Sequence, residues 1–266
     1  MGEMLRRVAP ILRAMLATVA SEHGTVGVMW DFASLPQHPR SADESARFYR
    51  GLAKMYQWYM HPFTHVLILG SALPTSCEYA NSRPWDRRGW CCFEGCASAL
   101  IKHEYCLWDD RSLTGEYHGR VVRRDGAPQL HGLRQTLRAG RRAPLSPSAF
   151  AEMVERRVAD GSLAFTSERN DKALVIDLYR TGFVQSFDTF PCVSVGHNII
   201  SFFGLGFGTE EQIAQLADAL AYVAQHCSFP HGPVRISCEG NGISKAGMAT
   251  LRETLAGCSG VEALYL

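Results

Sequence analysis

The stretch Val26-Gly-Val-Met-Trp-Asp-Phe-Ala-Ser-Leu-Pro-Gln37 places a short apolar run directly before a polar cluster and a proline. A short apolar run with β-branched residues, bounded by turn signals, is typical of a buried strand. A second island, Arg87-Arg-Gly-Trp-Cys-Cys-Phe-Glu94, follows a loop rich in proline, serine and arginine. We predict that the strand ends at Asp31 and that a helix begins near Gly89.

The residues between the two islands predict a helix and a second strand. Ser41 with Glu44 three residues later forms a capping-box pattern, and His61-Pro62 ends the apolar helical spacing that follows. His65-Val-Leu-Ile-Leu69 then has the pattern of a second buried strand, with Ser71 just after it. A strand–helix–strand order implies a parallel, right-handed crossover. The carboxyl ends of both strands are therefore expected at one edge of a sheet.

This arrangement predicts a candidate site that is formed by four polar side chains. In an α/β fold, ligands bind outside the carboxyl ends of the strands, where the helices that follow the strands begin. Asp31 and Gln37 follow the first predicted strand, Ser71 follows the second, and Glu94 lies near the start of the later helix. We expect these residues to rim one crevice.

The two islands resemble two related families. Asp31-Phe-Ala-Ser-Leu-Pro-Gln37, followed by Glu44, Met55-Tyr56 and Val66-Leu-Ile-Leu-Gly70, resembles the pattern of fungal heterokaryon-incompatibility domains, which are relatives of the TIR fold. Tyr79-Ala-Asn-Ser82 with Gly89-Trp-Cys-Cys-Phe-Glu94 is similar to the Tyr-x-x-Ser-x-Trp-Cys-x-x-Glu segment of TIR domains. The resemblance covers residues 5–105. It implies an α/β, flavodoxin-like (TIR-type) parallel sheet with helices, without the usual first strand.

The resemblance also implies an activity. In enzymatic TIR domains the glutamate of this motif cleaves NAD, so Glu94 takes the catalytic position and NAD is a candidate substrate rather than a cofactor. A carboxylate beside the reacting sugar carbon can stabilise the oxocarbenium character that develops there. The substrate-binding set comprises Asp31, Gln37, Ser71, Arg87, Arg88 and Trp90, of which Trp90 is also a packing residue of the motif. No cofactor and no metal ligand are predicted.

Each of these roles has a structural alternative. Glu94 could complement the helix dipole from a first turn, and Asp31 could satisfy backbone donors in its loop instead of binding a ribose hydroxyl. Arg87 and Arg88 could bind a pyrophosphate at the helix start or remain solvated. Nothing before Met4 supplies the usual first strand. Either the chain is a fragment, or another segment or a partner provides that strand, or the enzymatic site is incomplete.

The carboxyl end carries a different pattern. Ile236-Ser-Cys-Glu-Gly-Asn241-Gly-Ile243 predicts a strand and an asparagine turn before a helix, and Leu264-Tyr-Leu266 predicts the next strand. Leu264 and Leu266 repeat Ile236 and Cys238 with a period of about 28 residues. This resembles a ribonuclease-inhibitor-type leucine-rich repeat, which implies that Asn241 binds backbone groups inside the turn. Residues 200–220 have the pattern of a divergent unit. An ordinary α/β tail is the alternative.

These patterns divide the chain into four parts. Residues 1–108 form the predicted TIR-like or incompatibility-like α/β domain. Residues 109–147, with arginines spread among glycine, proline and serine, form a basic connector. Without interleaved aromatic residues a solvated linker is favoured, and docking of an acidic partner, RNA or a phosphate is the alternative. Residues 148–190 form a helical bridging segment, with Ser148 as the predicted N-cap of its first helix. Residues 191–266 form the leucine-rich-repeat-like segment.

Composition restricts the class of protein. The 266 residues include 27 Lys plus Arg and 26 Asp plus Glu, so no overall attraction to nucleic acid is expected. Nine cysteines without CxxC spacing argue against a secreted disulfide framework or a zinc module. No apolar run is long enough to span a membrane. A cytoplasmic location with reduced thiols is therefore predicted.

Together the patterns predict a protein of intracellular signalling, innate immunity or self/non-self recognition. Its repeats would bind a protein partner, and its amino-terminal domain would cleave NAD or self-associate. The alternative is a non-enzymatic interaction module, a scaffold or adaptor with a degenerate TIR-like fold.

Overall fold

The computed structural model describes residues 5, 8–16, 27–30, 34–72, 78, 81–103, 106–112, 139–189, 192–194 and 197–266. The chain is a mixed α/β protein. Its internal contacts divide it into two compact units. The first unit comprises Met1–Met55, Leu67–Ser82 and Trp108–Ala139, and the second unit comprises Tyr56–Val66, Arg83–Leu107 and Gly140–Leu266. Asp31 and Tyr79 lie outside the described residues.

Helix α1 (Ala42–Leu52) begins at the predicted capping box. The Glu44 amide donates to the Ser41 hydroxyl oxygen at 3.2 Å, and the Ser41 amide donates to the Glu44 carboxylate at 2.9 Å. The Arg40 guanidinium lies 3.4 Å from the centre of the Phe48 ring. A short helix α2 (Met55–Met60) follows and ends just before His61-Pro62, as predicted.

The strand predicted over Val26–Trp30 is wrong for its described residues. Gly27 to Trp30 lie outside any strand, and the side chain of Val28 is 56% exposed. The Ser34 amide donates to the Trp30 carbonyl at 2.7 Å, and the Trp30 amide donates to the Ser34 hydroxyl at 3.0 Å. These local bonds satisfy backbone and side-chain groups within a turn, so they compete with a strand ladder.

The second predicted strand is confirmed as β1 (Val66–Ile68), which pairs with β2 (Leu107–Asp109) in a two-stranded sheet. After these strands, the Ser71 amide donates to the Asp110 carboxylate at 2.9 Å. The Arg111 guanidinium donates to both carboxylate oxygens of Asp109. The flavodoxin-like sheet stays a prediction, because the described residues show only β1 and β2 in this part of the chain.

Three helices form the first part of the core of the second unit: α3 (Gly89–Ser98), α4 (Pro147–Ala159) and α5 (Glu168–Thr189). The N-cap of α4 is Ser146, not Ser148, because proline is favoured at the first helical position and Pro147 takes that place. The Phe150 ring stacks on Tyr179 with ring centres 3.9 Å apart. Among the described residues, no helix is both long enough and apolar enough to cross a membrane.

The carboxyl-terminal part of the second unit is a four-stranded sheet with two helices. Its strands are β3 (Cys192–Ser194), β4 (His197–Ser201), β5 (Val234–Ser237) and β6 (Val261–Tyr265), with α6 (Glu210–His226) between β4 and β5 and α7 (Lys245–Thr254) between β5 and β6. Strand β3 is antiparallel to β4, whereas β4, β5 and β6 are parallel. Ile236 pairs with Ile200 on one side and with Leu264 on the other. This register agrees with the predicted period.

Alternate residues of this sheet enter the apolar core. Ile200, Phe202 and Ile236 are almost completely buried in the same cluster as Leu216 and Leu220 of α6. The period-2 alternation of a strand sends the intervening residues to the opposite face. The sheet therefore has one face that packs against the helices and one face that is turned away from them.

Two buried cations fix loops of the second unit. The Arg141 side chain is only 5% exposed, and its guanidinium donates to the carbonyls of Ala99 (2.7 Å), Leu100 and Ser201 (2.8 Å). The fully buried Lys102 ammonium donates to the carbonyls of His61 and Thr64. Arg141 belongs to the segment predicted as a solvated connector, so that prediction is wrong for this residue.

Candidate functional site

The start of α3, which carries Glu94, is fixed by a short backbone bridge. The Gly89 amide donates to the Ala164 carbonyl at 2.8 Å, and the Ala164 amide donates to the Arg87 carbonyl at 3.1 Å. Gly89 is buried, and a Cβ atom at this position would lie 2.1 Å from the Phe165 ring. Only glycine allows the helix to begin this close to the aromatic ring.

Glu94 lies in the second turn of α3 and is partly exposed. The first turn contains no acidic residue. Because the effect of the helix dipole falls off within the first turn, the alternative role of Glu94 as a first-turn dipole partner is wrong. Glu94 therefore stays the candidate catalytic carboxylate.

The other motif residues of α3 make contacts inside the chain. Arg88 is the N-cap residue, and its Nε donates to the Arg83 carbonyl at 2.7 Å. Trp90 packs edge-to-face on Phe93, with ring centres 6.2 Å apart, and Arg87 is exposed. The amide of Gly89, the first of the helix, already donates to a carbonyl. An anion at this helix start would therefore have to bind the following backbone amides or the arginine side chains.

The remaining predicted site residues belong to the first unit. Gln37 is exposed, and its side-chain amide donates to the Leu35 carbonyl at 2.9 Å. Ser71 is partly buried, and its amide is held by Asp110. Glu94 belongs to the second unit. The convergence of these residues on one crevice stays a prediction.

The asparagine turn joins consecutive strand–turn units. Asn241 is 5% exposed, and its amide nitrogen donates to the carbonyls of Phe202 (2.7 Å) and Cys238 (2.6 Å). Its oxygen accepts from the amides of Leu205 (2.8 Å) and Phe207 (3.3 Å). The predicted bond inside its own turn is confirmed. The three bonds to the turn after β4 were not predicted, and they connect that turn to the turn after β5.

The strand face opposite the apolar core carries a depression of about 460 Å³, which we call the sheet depression. It is lined by His103, Ile199, Ser201, Phe203, Ser237, Glu239 and Tyr265. Phe203 is 60% exposed and Tyr265 is 38% exposed, whereas burial lowers the pKa of His103 below its usual value. Two exposed aromatic rings, serine hydroxyls and one carboxylate can bind a peptide segment by stacking and hydrogen bonding.

The residues of the sheet depression were not predicted from the sequence. Their signal is an alternation in and just after β4, where Ile199, Ser201 and Phe203 alternate with the buried Ile200 and Phe202. An alternating strand predicts which side chains share a face, but the partners on neighbouring strands depend on register. Comparisons with protein-family models, with curated proteins and with solved structures find no match for this chain.

Proposed function

We propose that this chain is a cytoplasmic recognition protein of signalling or self/non-self discrimination, which binds a protein partner through leucine-rich-repeat-like units. The observation that carries the proposal is the side chain of Asn241, which bonds the turns after β4 and β5 to each other. In leucine-rich repeats, stacked strand–turn–helix units bury a continuous core and present their strands as a binding surface. The parallel register of β4, β5 and β6 supports the same proposal.

The sheet depression is the proposed binding surface. Aromatic side chains are enriched at protein interfaces and dominate binding energy when a partner covers them. Phe203 and Tyr265 are exposed at this place, and Ser201, Ser237 and Glu239 provide polar groups between and beside them. A protein segment could therefore stack on the two rings and form hydrogen bonds along the strands.

Selection of displayed random peptides on the purified chain tests this proposal. We expect the selected peptides to lose at least about tenfold in affinity on Phe203→Ala and on Tyr265→Ala, since a central interface aromatic contributes more than about 1.4 kcal/mol. Tyr49→Ala is the matched control, because Tyr49 is an exposed tyrosine (62%) on α1. Peptides that bind all three variants as tightly as the wild type would contradict the proposed surface.

A second proposed function is NAD cleavage by a TIR-like domain, with Glu94 as the catalytic carboxylate. It is favoured by the position of Glu94 beyond the first turn of α3, which removes the simplest structural role for this side chain. The carboxylate would stabilise positive charge on the ribose as nicotinamide leaves, or position the attacking water. Arg87, Arg88, Trp90, Asp31, Gln37 and Ser71 form the proposed binding set.

Nicotinamide release from NAD, measured with the purified chain at high concentration, tests this second function. We expect Glu94→Gln to lower the rate by at least about 100-fold, the usual contribution of a catalytic acid or base. Glu152→Gln is the control, because Glu152 is an exposed glutamate on α4 of the same unit. If wild type and both variants neither cleave nor bind NAD, the enzyme hypothesis is rejected and the alternative remains, a non-enzymatic interaction module that acts as a scaffold or adaptor.

A further inference from the structure

Helices α3 and α4 bring three sulfur atoms together inside the second unit. Cys92 and Cys96 are four residues apart on α3, so their side chains lie on the same face of the helix. The two thiols are close enough to interact with each other. Met153 on α4 faces the same place, and its Sδ lies 4.0 Å from the Cys92 Sγ.

A positive charge accompanies the sulfur atoms. The Arg157 Nη1 lies 3.7 Å from the Cys92 Sγ, and its Nη2 donates to the Asp86 carbonyl at 2.7 Å, which fixes the guanidinium. A fixed positive charge therefore lies beside the Cys92 sulfur.

We propose that Cys92, Cys96 and Met153 bind one Cu(I) ion. Thiolate and thioether sulfurs are soft ligands that suit Cu(I). With metal–sulfur bonds of about 2.3 Å, three sulfurs in a trigonal plane lie about 4 Å apart, which is the separation of Cys92 and Met153. The proposal does not depend on the proposed function.

Other metals fit this ligand set less well. Zinc takes four nitrogen, thiolate or carboxylate ligands in a tetrahedron. Within the described part of the chain, no three histidine, cysteine, aspartate or glutamate side chains form a group that could hold a metal ion. Two cysteines and a methionine therefore supply three soft sulfur ligands, which suit the monovalent Cu(I) ion. They do not supply the four ligands that zinc takes.

The charges and protons of the binding step balance. Cu(I) replaces the thiol protons of Cys92 and Cys96, so two protons go to solvent while copper keeps its oxidation state. The resulting bis-thiolate complex carries one negative charge, and the guanidinium of Arg157 neutralises it. Cys92 is buried, whereas Met153 is partly exposed, which gives the ion a route to the sulfurs.

Titration of the reduced, full-length chain with Cu(I) under anaerobic conditions, against the chromogenic chelator bathocuproine disulfonate, tests the site. We expect the wild type to compete for one Cu(I) ion. Met153→Leu keeps the side-chain volume and should lower the affinity at least about tenfold, whereas Cys92→Ser and Cys96→Ser should lower it further. Cys91→Ser is the matched control, because Cys91 is a neighbouring thiol on α3 outside the proposed set; it should bind as the wild type does.

X-ray absorption of the copper-loaded protein gives a second, independent readout. Three sulfur neighbours are expected in the wild type and two in Met153→Leu, whose conservative change keeps the fold intact even if a cysteine variant unfolds. The proposal is overturned if the wild type does not compete for Cu(I), or if Met153→Leu and Cys96→Ser retain both the affinity and the sulfur count of the wild type.

Discussion

Arg141→Met is expected to lower the free energy of unfolding by about 4 kcal/mol, because it leaves buried carbonyls without donors. The guanidinium donates to Ala99, Leu100 and Ser201 and lies 4.8 Å from the centre of the Phe202 ring. A buried polar group without a partner costs about 1–3 kcal/mol, and hydrogen bonds from charged donors are stronger than neutral ones. Urea denaturation followed by circular dichroism measures the change.

Arg142→Met provides the matched control. Arg142 is the next residue in the chain and is exposed, so its replacement should change stability by less than about 0.5 kcal/mol. Arg141→Lys keeps the charge but lacks the planar, forked donors, so we expect a loss between those of the two methionine variants. Equal stability of Arg141→Met and Arg142→Met would mean that the three carbonyls do not depend on this side chain.

Asn241→Ala is expected to cost about 3 kcal/mol and to loosen the turns after β4 and β5. The change removes both donors to the carbonyls of Phe202 and Cys238 and the acceptor for the amides of Leu205 and Phe207. Since Asn241 is almost fully buried, water cannot replace all of these bonds. Thermal unfolding gives the loss of stability, and amide hydrogen exchange locates it.

Two further variants sharpen this result. Asn241→Asp keeps the shape and an acceptor but replaces the donor with an oxygen that faces the carbonyls, so it should be at least as destabilising as alanine. Asn198→Ala removes a single exposed hydrogen bond, from Asn198 to the His231 carbonyl, and should cost less than about 1 kcal/mol. Fast exchange confined to regions other than the turns after β4 and β5 would contradict the bridging role of Asn241.

Local sequence signals predicted several elements correctly. The Ser41–Glu44 capping box begins α1, His61-Pro62 follows the end of α2, and α3 begins at Gly89. These features depend on groups only a few residues apart. The local sequence therefore determines nearly all of the free energy that stabilises them. The spacing of Ile236 and Leu264 was also correct, because a repeated unit stacks its equivalent residues in register.

Predictions that depended on burial were less successful. The apolar run that ends at Trp30 has the composition of a buried strand, but Val28 is 56% exposed and Ser34 closes a local turn with Trp30. A short run predicts that burial would be favourable, but it does not show whether a neighbouring surface is present to bury it. The first-turn role considered for Glu94 was wrong because the helix start precedes it by more than one turn.

The sequence by itself determined the cap of α1, the end of α2, the start of α3, the repeat period and the role of Asn241 inside its own turn. Only the tertiary structure decided that Arg141 is buried, that Asn241 also bonds the preceding turn, and that Cys92 lies beside Met153. The physical reason is distance along the chain. A cap joins groups three residues apart, whereas the carbonyls of Ala99 and Ser201 that hold Arg141 lie 42 and 60 residues from it, and packing alone brings them together.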